Sequence, residues 1–155
     1  MAAAGSIILY GANKADFRLN DMASANLRMA IVTSTYVPNV TATGDSLITA
    51  YGANEVSATT TGYAAGGTAL TGVVAANAGN TGFKLSSGNA VWTAGASNFP
   101  AWRYGVLYYL GTIWGKVNPL IGYFNGDSTL IDVPLTTSGN PLTITCPATG
   151  WFDEV

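Results

Sequence analysis

Eight carboxylates are the main stock of reactive groups in this chain: Asp16, Asp21, Asp45, Glu55, Asp127, Asp132, Asp153 and Glu154. Two of them held on either side of a sugar would make the acid and base of a glycosidase. Their spacing brings no two together, and solvated loop or cap positions account for all eight. The chain has no histidine, so the base that activates most serine and cysteine nucleophiles is missing. Cys146 ends the alternating run Leu142-Thr143-Ile144-Thr145-Cys146 and reads as a small buried hydrophobe with no disulfide partner. Asn125-Gly126-Asp127-Ser128 offers oxygen ligands but lacks the spaced acids of a calcium loop, so it reads as a hairpin turn. Gly62-Tyr63-Ala64-Ala65-Gly66-Gly67 is followed by no Lys-Ser or Lys-Thr and is not a phosphate loop. Asn39-Val40-Thr41 spells a glycosylation sequon, which without a secretory leader reads as chance. The sequence therefore predicts no catalytic residue, no metal and no cofactor.

The aromatic residues are the better candidates for function. Trp92, Trp102, Trp114 and Trp151, with Tyr104, Tyr108, Tyr109 and Tyr123, would suit a sugar-stacking platform or a protein interface, although core packing explains most of them. Tyr and Trp are favoured anchors where two chains meet. The residues assigned to such an interface are Ile7, Ile8, Tyr10, Trp102, Tyr104, Tyr109, Trp114, Trp151 and Phe152. Trp151 and Phe152 stand out because chain ends usually fray.

These side chains need a scaffold, and its class is legible. The 155 residues fit one domain, of which only 9% are charged, with a net charge of -2. The six basic residues are scattered at Lys14, Arg18, Arg28, Lys84, Arg103 and Lys116, which argues against nucleic acid as a partner. The longest uncharged apolar stretch, Tyr104 to Trp114, is short of the roughly 20 residues of a spanning helix, so no membrane partner is expected. The N-terminal residues lack the basic start of a signal peptide.

Two-residue periodicity dominates: Leu27, Met29, Ile31 and Thr33 alternate with Arg28, Ala30, Val32 and Ser34. Further strands are predicted at Ser6–Tyr10, Leu70–Ala75, Ala90–Thr93, Arg103–Leu110, Leu120–Phe124, Leu130–Leu135 and Leu142–Cys146, separated by Gly- and Asn-rich turns. In Arg103–Leu110 both faces are apolar, as in a central strand or one whose outer face meets a partner. Asp45 is placed to cap a short helix near 45–53 that stops at Gly52, with Leu47, Ile48 and Tyr51 facing the core. A second helical turn falls around Leu19–Ala25. The Ala- and Gly-rich stretch from Ala58 to Gly82 reads as ordered loop and strand with a mobile tip near Asn77–Gly82. The predicted fold is all-β, an antiparallel jelly-roll-like β-sandwich of one domain with arms at 1–10 and 147–155.

Several segments in order resemble the head decoration, or cement, proteins of tailed bacteriophages. Leu27-Arg28-Met29-Ala30-Ile31-Val32-Thr33-Ser34-Thr35-Tyr36-Val37-Pro38 is similar to the family's early strand and its Ser-x-Tyr-x-Pro turn. Asp45 to Val56 and Thr61-Gly62-Tyr63-Ala64-Ala65-Gly66-Gly67-Thr68-Ala69-Leu70, similar to the family's Gly-Tyr-x-x-Gly-Gly-x-x-Leu, follow. Val91-Trp92, Arg103-Tyr104-Gly105-Val106-Leu107-Tyr108 and Pro119-Leu120-Ile121-Gly122-Tyr123-Phe124 resemble its later strands. The similarity spans roughly residues 27 to 145. It departs where relatives often carry Asp-Phe-Gly and this chain has Phe124-Asn125-Gly126. The resemblance implies a homodimer or homotrimer on the outer surface of a virion, binding the major capsid protein and tying neighbouring subunits together. Rival expectations are a tail or connector component or the major shell protein itself, a carbohydrate-binding module using Trp102 with Tyr104 or Trp114, and, ranked last, a carboxylate-based hydrolase.

Overall fold

The computed structural model describes residues 2–3, 7–16, 19–22, 26–59, 61–78 and 82–154. Its strands are β1 (Ala2–Ala3), β2 (Ile8–Leu9), β3 (Leu27–Val32), β4 (Thr68–Ala69), β5 (Val74–Ala78), β6 (Gly82–Ser86) and β7 (Ala90–Thr93). They continue as β8 (Tyr104–Tyr109), β9 (Thr112–Ile113), β10 (Lys116–Val117), β11 (Leu120–Asn125), β12 (Pro141–Thr145) and β13 (Phe152–Glu154). Among the described residues helical structure is confined to α1 (Gly11–Lys14), α2 (Leu19–Met22) and two 3-10 turns. The chain is all-β, and among the described strands every pairing is antiparallel except β1 with β12.

The largest sheet has the order β2-β11-β8-β3-β4. Alternation along its strands sends side chains into two clusters. Leu27, Met29, Ile31, Leu107, Ile121 and Phe124 join Trp92, Leu142, Ile144, Leu85, Trp102 and Trp151 in the main core. Ala30, Val32, Val106, Tyr108 and Leu120 point the other way, under Tyr10, Tyr36 and Tyr51. Strand β8 therefore lies between β3 and β11 with both faces buried, as its doubly apolar pattern requires. A register shift between Leu120 and Gly122 lets Ile121 and Phe124, three residues apart, both enter the main core while Leu120 faces the other cluster.

Two smaller sheets, β1-β12-β7 and β13-β6-β5, complete the main core, and β9 and β10 form a hairpin. The glycine-rich segment is a clamp on β3. Gly66 and Gly67 have φ of +81° and +70°, and a Cβ on Gly67 would stand 1.9 Å from the Met29 carbonyl oxygen. Beside it, Tyr63 donates to Glu55 and accepts from the Ile31 N–H, while Tyr108 donates to the Gly66 carbonyl at 2.6 Å.

The helix predicted near 45–53 is instead a pair of 3-10 turns, Ile48–Ala50 and Gly52–Asn54. Asp45 does not cap them, because its carboxylate accepts from the Tyr36 hydroxyl at 2.6 Å and the Asn39 N–H at 2.9 Å. Leu47 is extended there and bridges Pro119. Of the three side chains expected to face the core, Tyr51 is buried and Ile48 packs partly against it. The two ends expected as arms belong to the chain's own sheets: Ala2 and Ala3 lie beside Ile144 and Thr145, and Phe152 to Glu154 beside Leu85 to Phe83. The mobile tip expected near Asn77–Gly82 falls largely on residues 79–81, outside the described residues.

Candidate functional site

Three of the nine residues assigned from sequence to an interface are core residues. Tyr10, Trp102 and Trp151 are 0%, 0% and 1% exposed. The Tyr10 hydroxyl bonds that of Tyr36, under the central sheet. Trp102 packs edge-on to Phe124 and against Gly126 and Val133. Trp151 stacks on Phe124 at 6.4 Å and donates its Nε1–H to the Ser87 hydroxyl at 2.7 Å. An aromatic residue near a chain end is explained here by plugging the chain's own core.

Tyr104, Tyr109, Trp114 and Ile7 are half-buried. Tyr104 packs on Tyr36 and Tyr123, Tyr109 accepts from Asn26, and Trp114 Nε1–H donates to Asp21 at 3.0 Å. Ile8 is exposed, and the side chain of Phe152 lies outside the described residues. The structure does not gather these residues into one surface patch. It also removes Trp102 from any sugar-stacking platform.

A different segment concentrates apolar exposure. Val37, Val74, Val91, Leu110 and Val117 are exposed singly along the chain, which is ordinary for a protein surface. Leu130, Ile131 and Leu135 fall within six residues and are 58%, 58% and 52% exposed. The sequence suggests a strand at 130–135, yet this segment pairs only through isolated bridges, from Val133 to Trp102 and from Thr136 to Phe99. Pro134, which offers no N–H, and the adjacent apolar pair Leu130-Ile131, which breaks alternation, are the signals that mark it as a loop.

The loop is held along its length. Asp127 opens it with an Asx turn, its Oδ1 accepting from the Thr129 N–H and hydroxyl while Leu130 N–H donates to the Asp127 carbonyl. Those Thr129 bonds hold the Asp127 carboxyl below its ordinary range. Asp132 accepts from Arg103 Nε–H at 2.7 Å and from Ser34 at 3.1 Å. Trp102 and Val133 exchange two backbone bonds, as do Phe99 and Thr136. Leu130 sits at the tip with φ of +60°, the left-handed region that an L-leucine enters only at a cost. The result is a pre-organised aliphatic knob.

Behind the knob runs a groove of about 820 Å³ between residues 126–136 and β12. Asn89, Asp127, Ser128, Thr136, Thr143 and Thr145 supply its polar wall, and Val133, Pro134, Leu135 and Pro141 the apolar one. No basic side chain lines it, and Asp127 is its single carboxylate. Five other carboxylates serve the fold: Asp16 pairs with Lys116, Asp21 with Trp114, Asp45 with Tyr36, Glu55 with Tyr63 and Gly66, and Asp132 with Arg103. Among the described residues no three His, Cys, Asp or Glu side chains converge on a metal-sized space, and no helix is long and apolar enough to cross a membrane. The arrangement as described is suited to contact, through aliphatic side chains on a fixed backbone. No protein-family model, no curated protein and no solved structure matches this chain.

Proposed function

We propose that this chain is a structural protein of a tailed-bacteriophage head, a decoration subunit that binds the outer surface of the capsid shell and bridges neighbouring major capsid proteins. The observation that carries the proposal is the knob: Leu130, Ile131 and Leu135 exposed together on a loop whose backbone is fixed by side-chain and main-chain bonds. Such a loop meets a partner without first paying to be ordered. A surface with few charges is poorly protected against association, which suits a subunit whose work is contact. Many copies on a symmetric lattice then turn modest contacts into firm attachment.

The resemblance of residues 27 to 145 to decoration proteins supports the same assignment. The finer architecture, a jelly-roll-like sandwich, is part of the proposal; the core shared by β3, β8 and β11 with β7 and β12 supports it. The test is add-back. Heads stripped of this subunit are mixed with the purified chain and sedimented. Saturable co-sedimentation and greater resistance of the heads to heating are the expected results; a chain that stays in the supernatant at every concentration overturns the proposal.

A further inference from the structure

The sheet β13-β6-β5 has two edges of opposite character. Strand β13 carries Asp153 and Glu154, and acidic side chains on an edge repel a second copy of that edge. Strand β5 reads Val74-Ala75-Ala76-Asn77-Ala78, with no charge and no proline. Among the described strands it pairs with β6 alone. The charge that commonly guards an edge sits one strand inward: Lys84 on β6 lies opposite Ala76 on one side and Asp153 on the other. Val74 is 52% exposed, while Val73 and Ala75 pack against the core. The other long uncharged edge, β7, is approached by Gly62, where a Cβ would stand 2.1 Å from the Thr93 carbonyl oxygen.

We infer that β5 is a self-association edge: two copies of this chain pair β5 to β5, antiparallel about a two-fold axis at Ala76, making one continuous six-stranded sheet. The edge is self-complementary under that operation. Val74 falls opposite the partner's Ala78, Ala75 opposite the partner's Asn77, and Ala76 opposite the partner's Ala76, so no like charges oppose and no bulky pair collides. The two Lys84 positions lie three strand spacings apart, about 14 Å, beyond the screening length at physiological salt. Five paired residues bury less than the roughly 1,200 Å² of a firm interface, so the free dimer is weak, with a dissociation constant on the order of 100 μM. The inference is independent of shell binding.

Sedimentation velocity of the full chain from about 10 μM to 1 mM, bracketing that constant, is the experiment. A rise from monomer to dimer is expected. Ala76→Glu places a carboxylate beside Lys84 within the subunit, which favours folding, but sets two carboxylates face to face across the axis; association should weaken at least tenfold. Mixing Ala76→Glu with Ala76→Lys should restore it. Amide exchange of β5 in the unaltered chain should slow at the high concentration, a readout that needs no variant. A monomer throughout the range, β5 exchange insensitive to concentration, or association unchanged by Ala76→Glu would overturn the inference.

Discussion

Leu130 separates folding from attachment in a single substitution. It holds a left-handed backbone at φ +60° while its side chain is 58% exposed. The left-handed region costs an ordinary L-residue about 1–2 kcal/mol, and asparagine tolerates it better. Leu130→Asn should therefore leave the fold intact or stabilise it by up to about 1 kcal/mol, raising Tm by roughly 2–4 °C for a chain of this size. The opposite is expected at the shell. Fully burying a leucine contributes about 1.5–3 kcal/mol, and somewhat over half of this side chain is still in water. Its loss should then remove about 1–1.7 kcal/mol per contact, or about 5–20-fold in affinity. Differential scanning fluorimetry and titration of stripped heads with labelled protein supply the two readouts. A variant that melts higher and binds weaker supports a strained tip kept for contact. A variant that binds stripped heads as well as the unaltered chain refutes the role given to the knob.

Trp151→Ala should destabilise the chain by about 3–5 kcal/mol, because a fully buried ring stacked on Phe124 is replaced by a cavity; urea denaturation would show it, and a change below about 1 kcal/mol would contradict the plug. Gly67→Ala should cost about 2–4 kcal/mol or prevent folding, since the added Cβ would meet the Met29 carbonyl in a left-handed backbone; a soluble, equally stable variant would contradict the clamp on β3. Alkali should unfold the protein steeply. Burial first, and then neighbours such as Asp45 for Tyr36 and Glu55 for Tyr63, push the hydroxyls of Tyr10, Tyr36, Tyr51 and Tyr63 far above their ordinary value. Unfolded tyrosine loses its proton near pH 10, so above that the unfolded state binds fewer protons and stability falls as pH rises. Four such groups remove about 5–6 kcal/mol by pH 11, comparable with the whole stability of a small domain. Urea midpoints that stay level from pH 9 to 11.5 would contradict this.

Strands whose side chains alternate between two environments were legible in the sequence. Leu27, Met29 and Ile31 against Ala30 and Val32 define β3, and apolar residues on both faces of 104–109 place β8 in the middle of its sheet. Features set by distant partners were not. Asp45 has the sequence neighbourhood of a helix cap, but Tyr36 and Asn39 engage its carboxylate from across a loop. Strand β5 hides in the Ala- and Gly-rich stretch and is defined by its pairing with β6, which follows that stretch and also pairs with β13. Asn13 has no signal at all, yet it is buried at 2% exposure, donating to the carbonyls of Ser46 and Leu120 and accepting from Lys116. The knob was obscured because Leu130–Leu135 has strand-forming residues; Pro134 and the pair Leu130-Ile131 hint at a loop, but its bracing comes from Asp127, Asp132 and the two isolated bridges, which the sequence does not display. Trp151 was misplaced for a related reason: position near a chain end says nothing about the cavity that a folded core leaves for it.

The most direct measurement of the proposed role is an electron-cryomicroscopy map of heads from a phage that encodes this chain, at a resolution that traces strands. The account predicts this fold on the outer face of the shell, astride the boundary between capsomers, with Leu130 and Ile131 seated in the capsid protein. A head whose outer face lacks this density, or particles in which the chain is confined to the tail, would contradict it.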